Sequence, residues 1–396
     1  MELNTEEVQK IRAETTGCSK IIHFNNAGAS LPADVVNRTV IDYLLEEASF
    51  GGYETEAKHA ACLSAVYTSV AKLLNASQEE IALFENASAA WATAFNGIEF
   101  SPGDEVLISE MEYVTNLIGF SSLKEKGVLL KVIPNDKDGN FSVSELKAAI
   151  NEKTKLIAVT HISSSGGAVV PIEAIGNIAE EHNIMYLVDA CQSAGQMPLD
   201  VKKIKCNILS ATGRKYLRAP RGTGFLFVKK DSLNKIKPYL LDFLAAGNVS
   251  MSGFTLREDA RRFELYEKSR ALTLGLGKAV DYALEIGLEN IWARISTLSK
   301  YLRVELIKIP GLILHDKGED LSGIVTFFIA GEDSLQIKSL LLEKNMNVST
   351  GGQQATPLYM NNQNLKVILR ASVHYYNTKK EIEEFCMALS RIVKDI

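Results

Sequence analysis

Short apolar runs alternate with segments of helical period through the middle of the chain. KLIAVTHI (155–162), IMYLVDA (184–190) and CNILSAT (206–212) are rich in β-branched residues and end in small or polar ones, the pattern of strands buried on both faces. Between the first two lies PIEAIGNIAEEHN, in which Ile172, Ile175, Ile178 and Ala179 share one helical face behind Pro171. Strand, helix and strand in that order make a βαβ crossover and predict a parallel sheet. After Lys215 the run GTGFLFVKK regains β character within a few residues, too soon for a crossover helix, so it predicts an antiparallel return to the strand before it.

Helix starts are written as the Ser/Thr-x-x-Glu spacing of a capping box in SQEE at Ser77, SVSE at Ser142 and TKKE at Thr378. The last opens a helix with Ile382, Phe385, Leu389, Ile392 and Val393 on one face. Residues 268–285 form another helical stretch, and beyond it strands such as GIVTFFIA and LKVILRAS stand among helices, as in a smaller α+β domain. The expected organisation is an N-terminal segment (1–20), a large α/β domain (21–255) and a C-terminal α+β domain (256–396), with the boundary inside 247–270. The sequence carries no internal repeat.

Composition narrows the function. The chain has 396 residues, 46% hydrophobic and 23% charged, enough for two domains and a large buried site. A formal net charge of -5 with interspersed signs argues against a nucleic-acid surface or a membrane-binding face, so the expected partner is a small molecule. Five cysteines, Cys18, Cys62, Cys191, Cys206 and Cys386, are scattered without paired spacing, which indicates neither a disulfide framework nor a metal site. The start MELNTEEVQK is acidic and the run IVTFFIA is too short to span a bilayer, so the expectation is a soluble, cytoplasmic protein.

The candidate chemistry sits in SATGRKYLRAPRGTGFLFV (210–228) and VDACQSAGQMPLD. A lysine after a strand is ordinarily solvated, and an aspartate at a strand end can be a helix cap or an ion-pair partner. Asp189 and Lys215, however, end successive strands of a parallel sheet, at the edge where ligands bind. An amine that condenses with an aldehyde and a carboxylate that keeps a pyridine nitrogen protonated are the two groups that pyridoxal phosphate requires. Its phosphate needs backbone N–H groups at a helix start, which Ala87 and Ser88 in ENASAAW supply, with Thr212 and Arg214 adding a hydroxyl and a charge.

The order FNNAG, ENASAAW, SEMEYVTN, VDACQSAG, SATGRKY and LRASVHYYNT, spread over nearly the whole chain, resembles the class V aminotransferase group of pyridoxal-phosphate enzymes. That group includes cysteine desulfurases, isopenicillin N epimerase and ergothioneine-pathway carbon-sulfur lyases. The resemblance implies an α/β fold of type I, Lys215 as the Schiff-base lysine, Asp189 on the pyridinium nitrogen, Gln192 on the ring oxygen and Tyr113 stacked on the ring. It further implies Arg370 as the grip on the substrate α-carboxylate, Asn26 near that carboxylate, and a homodimer.

Three departures from the family pattern bear on the reaction. The stretch VSTGGQQATPLYM places Gln354 where desulfurases carry a nucleophilic cysteine, which speaks against that chemistry. Ser164 stands where many relatives carry an asparagine beside the cofactor. YLRAPRGTGFL, EDARRFELYE and FGGYE resemble the lyase and epimerase branch and add Arg221, Arg261 and Tyr53 as candidate contacts. The resulting expectation is a carbon-sulfur lyase acting on a cysteine conjugate or its sulfoxide, with an aminotransferase or epimerase as the alternative. A nucleotide-binding oxidoreductase is disfavoured, because no strand is followed by GxGxxG.

Overall fold

The computed structural model describes residues 2–396. Its centre is a seven-stranded sheet in the order Ile81–Phe84, Gly224–Val228, Ile208–Thr212, Met185–Asp189, Thr154–Thr160, Glu105–Ser109 and Leu129–Ile133. Only Gly224–Val228 runs against the others; it pairs antiparallel with both Ile208–Thr212 and Ile81–Phe84. The three apolar runs are adjacent parallel strands, with Ile172–Glu181 as the crossover helix between the first two, and the return strand has the expected direction.

Alternation along these strands divides the core in two. Leu107, Ile157, Val188 and Leu209 pack on one face with Ile172, Ile175 and Ile178, whereas Val106, Leu156, Leu187 and Ile208 pack on the other with Trp91, Phe95 and Phe120. Each such side chain contributes about 1.5–3 kcal/mol on full burial, which explains why runs apolar at every position become central strands.

Two of the three capping boxes are complete. Thr378 caps the helix Lys379–Asp395, which buries Ile382, Phe385, Leu389 and Ile392. Ser77 also closes both bonds of its box, but around a single turn, Gln78–Glu80, because the strand Ile81–Phe84 begins at once. Ser142 caps Val143–Ala149 through the Glu145 amide alone.

A second sheet, Leu312–Leu314, Ile324–Ile329, Val367–Ser372 and Ser349–Gly352, is antiparallel throughout. The chain start reaches it: Ile22–His23 pairs with Met346–Asn347, and Asn25 bridges Ser372. We propose the division near residue 255 as the domain boundary, with this early segment crossing it. Among the described residues no helix is long and apolar enough to cross a membrane.

Candidate functional site

The parallel strands ending at Thr160, Asp189 and Thr212 bring their carboxyl ends to one cavity. The nine residues expected to hold the cofactor all line it: Lys215, Asp189, Gln192, Tyr113, Ala87, Ser88, Thr212, Arg214 and Ser164. Asn86, Asn116, Thr160, Ile162 and Cys191 line it too, without a role expected from the sequence.

Lys215 lies in a tight turn in which the Gly213 N–H donates to the Thr223 carbonyl at 3.0 Å and the Arg218 N–H donates to the Lys215 carbonyl at 2.9 Å. Burial disfavours its ammonium and lowers its pKa to about 8; Arg214 and Arg370 push the same way, and Asp189 opposes them. The unprotonated amine is the nucleophile, so Lys215 in cofactor-free protein should take up pyridoxal phosphate at a rate that rises through a pH near 8. Stopped-flow uptake measured against pH tests this; a rise only near 10.5, the ordinary lysine value, would contradict the buried amine.

Each oxygen of Asp189 is held from the protein side. Oδ1 accepts from the Cys191 N–H at 2.9 Å and Oδ2 accepts from Asn116 Nδ2 at 3.0 Å. The same Nδ2 donates to Glu112 Oε2 at 3.2 Å, and Glu112 also accepts from Thr160, from its N–H at 2.6 Å and its hydroxyl at 2.8 Å. Burial raises the Glu112 carboxyl to about 8 against those donors, and the nearby charge of Asp189 adds to the rise.

At the opposite wall, Asn86 caps the helix Ala87–Asn96 by accepting from the Ala89 N–H at 2.8 Å, leaving the first amides of the helix free for an anion. Gly224 passes directly beneath: a Cβ there would lie 2.7 Å from the Asn86 carbonyl carbon and 2.9 Å from the Ala87 nitrogen. Arg214 is steadied by a bond from Nη1 to the Gly28 carbonyl.

Arg370 comes from the second sheet and is only 7% exposed. Nη1 donates to the Ser164 carbonyl at 2.8 Å, Nη2 reaches Asn25 Oδ1 at 3.5 Å, and Nε is buried with no partner. Burial, with Arg214 nearby, lowers its pKa to about 10, so it stays charged at neutral pH. A buried guanidinium with neutral partners is an anion site, and a carboxylate fits its fork.

Four expected contacts, Asn26, Tyr53, Arg221 and Arg261, do not line the cavity. Asn26 is fully buried and spent on the fold: Nδ2 donates to the Ser372 carbonyl at 2.7 Å and to the His23 carbonyl at 3.2 Å, and Oδ1 accepts from the Tyr376 hydroxyl. Its neighbour Asn25 is the one that meets Arg370. Tyr53 is 73% exposed on the helix Gly52–Lys58, which buries only Thr55. Arg221 is exposed beyond the lysine turn, and Arg261 lies over the Tyr67 ring at 4.6 Å, outside the cavity. The one sequence signal near Asn116 is its place beside Tyr113 in SEMEYVTN, in the first turn of the helix Val114–Ser122.

The residues fit pyridoxal phosphate on the molecule's own terms. The cavity holds a lysine amine, a fixed carboxylate and a free helix start, and Gln192 Oε1, Ser164 Oγ and Arg370 Nε are buried without partners. Gln192 Nε2 is occupied by the Ala27 carbonyl at 3.1 Å. Among the described residues no cluster of His, Cys, Asp or Glu is placed to hold a metal ion.

Fold and site together define a pyridoxal-phosphate-dependent enzyme of fold type I. The chain belongs to the family described as Aminotransferase class-V, which it matches over residues 21–385. It is 32% identical to a probable cysteine desulfurase of Synechocystis sp., over 94% of this chain and 91% of that protein. It is 30% identical to a probable cysteine desulfurase of Methanothermobacter thermautotrophicus, over 91% of this chain and 92% of that one. The apo cysteine desulfurase of Thermococcus onnurineus has the same fold, with a TM-score of 0.92, 25% identity and 98% coverage of both chains.

Proposed function

We propose that the protein cleaves the carbon-sulfur bond of a cysteine-derived amino acid by removing the Cα proton and eliminating the sulfur from Cβ. The observation that carries this reading is Arg370, a buried cation without an acidic partner, on the Ser164 side of the cavity that also holds Lys215. Relatives that share its architecture and are named cysteine desulfurases support a carbon-sulfur substrate.

Arg370 receives the α-carboxylate and orients Cα towards Lys215. Lys215, whose ammonium burial disfavours, takes the Cα proton at Nζ in its unprotonated form. The bound cofactor supplies an electron sink for the charge left on Cα, and Asp189 holds the proton on its ring nitrogen. Gln192 would hold the ring oxygen, Tyr113 would stack on the ring, and Ala87, Ser88, Thr212 and Arg214 would hold the phosphate. When the Cβ–S bond breaks, sulfur leaves with the electron pair as a thiolate or sulfenate, and the released enamine hydrolyses to pyruvate and ammonia.

The similarity to probable cysteine desulfurases favours a second reading, desulfuration to alanine through a protein persulfide. It needs a thiolate in reach of the substrate sulfur. Gln354, exposed on a loop tied down by a bond from the Val114 N–H to the Ala355 carbonyl at 2.8 Å, is not one. Cys191 is the cysteine lining the cavity, but burial and the neighbouring Asp189 push its thiol well up, so it stays protonated.

Products separate the readings. With S-substituted cysteines and their sulfoxides as substrates, pyruvate and ammonia should form in equal amounts, faster from the sulfoxide. Alanine with a protein persulfide would establish desulfuration, and a keto acid that keeps the substrate side chain would establish transamination.

We also propose that the enzyme works as a homodimer. Leu45, Phe50, Tyr53, Leu241 and Phe243 are each more than half exposed, an apolar surface suited to a second copy.

A further inference from the structure

We propose that Asn116 and Glu112 are positioning residues that set the orientation of Asp189 toward the cofactor ring, acting as one hydrogen-bonded chain from Thr160 through Glu112 and Asn116 to Asp189. The inference rests on Asp189 being the partner of the ring nitrogen.

The argument starts from the sheet. Thr160 and Asp189 end adjacent parallel strands and pair with each other in register. Glu112 lies on the segment leading into the helix Val114–Ser122, and Asn116 lies in its first turn. Asn116 Nδ2 has two hydrogens, and they serve two carboxyl groups, Asp189 at 3.0 Å and Glu112 at 3.2 Å. All four groups are nearly inaccessible: Glu112 is 1% exposed, Asn116 3%, and Thr160 and Asp189 5% each.

Such a cluster is costly unless every member is satisfied, and here each bond leaves the next side chain one orientation. Two donors from Thr160 fix Glu112, so its Oε2 faces Asn116. That oxygen turns the amide so that its second hydrogen meets Asp189 Oδ2. The Cys191 N–H holds Oδ1, so the carboxylate plane cannot rotate, and its remaining lone pairs are left for the cavity.

Asn116, Thr160 and Asp189 line the cavity and Glu112 does not, so Glu112 reaches the cofactor only through its neighbours. Asp189 and Tyr186 are the ionisable groups that sense or oppose its charge, and Lys215 senses that of Asp189. Burial raises the Glu112 carboxyl to about 8, and the Asn116 amide stands between it and Asp189.

The test uses the holoenzyme without substrate, so its result does not depend on which products the enzyme forms. The pH midpoint of the bound cofactor's visible absorption reports the charge on its ring, and Asp189→Asn calibrates the direction in which that midpoint moves when the carboxylate is lost. Asn116→Ala should move the midpoint in the same direction by about one unit, the effect of a hydrogen bond to a charged group. With substrate, kcat should fall about tenfold while KM stays within about threefold. Glu112→Gln, nearly isosteric, should show a smaller shift in the same direction and guards against a failure of Asn116→Ala to fold.

In the Asp189→Asn background both shifts should vanish, because the two residues act through that carboxylate. Shifts that persist there, or midpoints unchanged in both single variants that still bind cofactor, would overturn the inference.

Discussion

Lys215→Ala abolishes turnover, with kcat falling by at least about 10⁴-fold, because one substitution removes both the nucleophile that anchors the cofactor and the base that takes the Cα proton. The fold should survive: Lys215 sits on a turn whose backbone bonds, Gly213 to Thr223 and Arg218 to Lys215, do not use its side chain. Circular dichroism and thermal unfolding of the cofactor-free proteins should therefore nearly coincide. Borohydride reduction followed by peptide mapping should place the pyridoxyl group on Lys215 in the parent protein and nowhere in the variant. A pyridoxyl group on Lys229 or Lys230 would overturn the site, since both lie past the far end of the antiparallel return strand Gly224–Val228.

Arg370→Lys raises KM by about thirtyfold or more for every amino-acid substrate. The bidentate grip on a desolvated carboxylate is worth about 2–5 kcal/mol, and an ammonium keeps the charge but not the fork. The shorter lysine also abandons the Ser164 carbonyl, leaving that wall without its donor. Steady-state kinetics on several amino acids check this. A rise confined to one substrate would assign Arg370 to side-chain recognition, and an unchanged KM would refute the carboxylate role. The variant should keep the visible absorption of bound cofactor, because Lys215, Asp189 and the proposed phosphate contacts make no bond to Arg370.

The local part of the architecture was legible because it is written in periodicity and punctuation. Strands buried on both faces appear as unbroken apolar runs, the crossover helix as isoleucines three residues apart behind Pro171, and the antiparallel return as a connection too short to cross the sheet. Lys215 and Asp189 could be paired for the same reason: each follows or ends a recognisable strand, and adjacent parallel strands present their carboxyl ends together.

The desulfurase question shows where residue types stop deciding function. Gln354 in place of a cysteine argued for elimination, yet the relatives that match over nearly the whole chain bear the desulfurase name. The sequence alone pointed to a pyridoxal-phosphate scaffold and to Lys215 as its candidate lysine; the fate of the substrate sulfur depends on which groups reach Cβ, and that is a property of distances.

Only the tertiary structure separated Asn25 from Asn26. Asn25 bridges Ser372 and Asn26 begins the turn closed by the Gly28 and Ala29 N–H groups on the Asn25 carbonyl, so a single residue step decides whether an amide meets Arg370, 345 positions away, or is consumed by the carbonyls of His23 and Ser372. Likewise FGGYE could not tell that its helix buries Thr55 and leaves Tyr53 outside the cavity, nor could SEMEYVTN tell that Asn116 links Glu112 to Asp189. Hydrophobic period determined which face of each element is buried; which neighbours a buried polar side chain meets was decided by sheet register and by the crossing of the chain between its two sheets, contacts that no local pattern encodes.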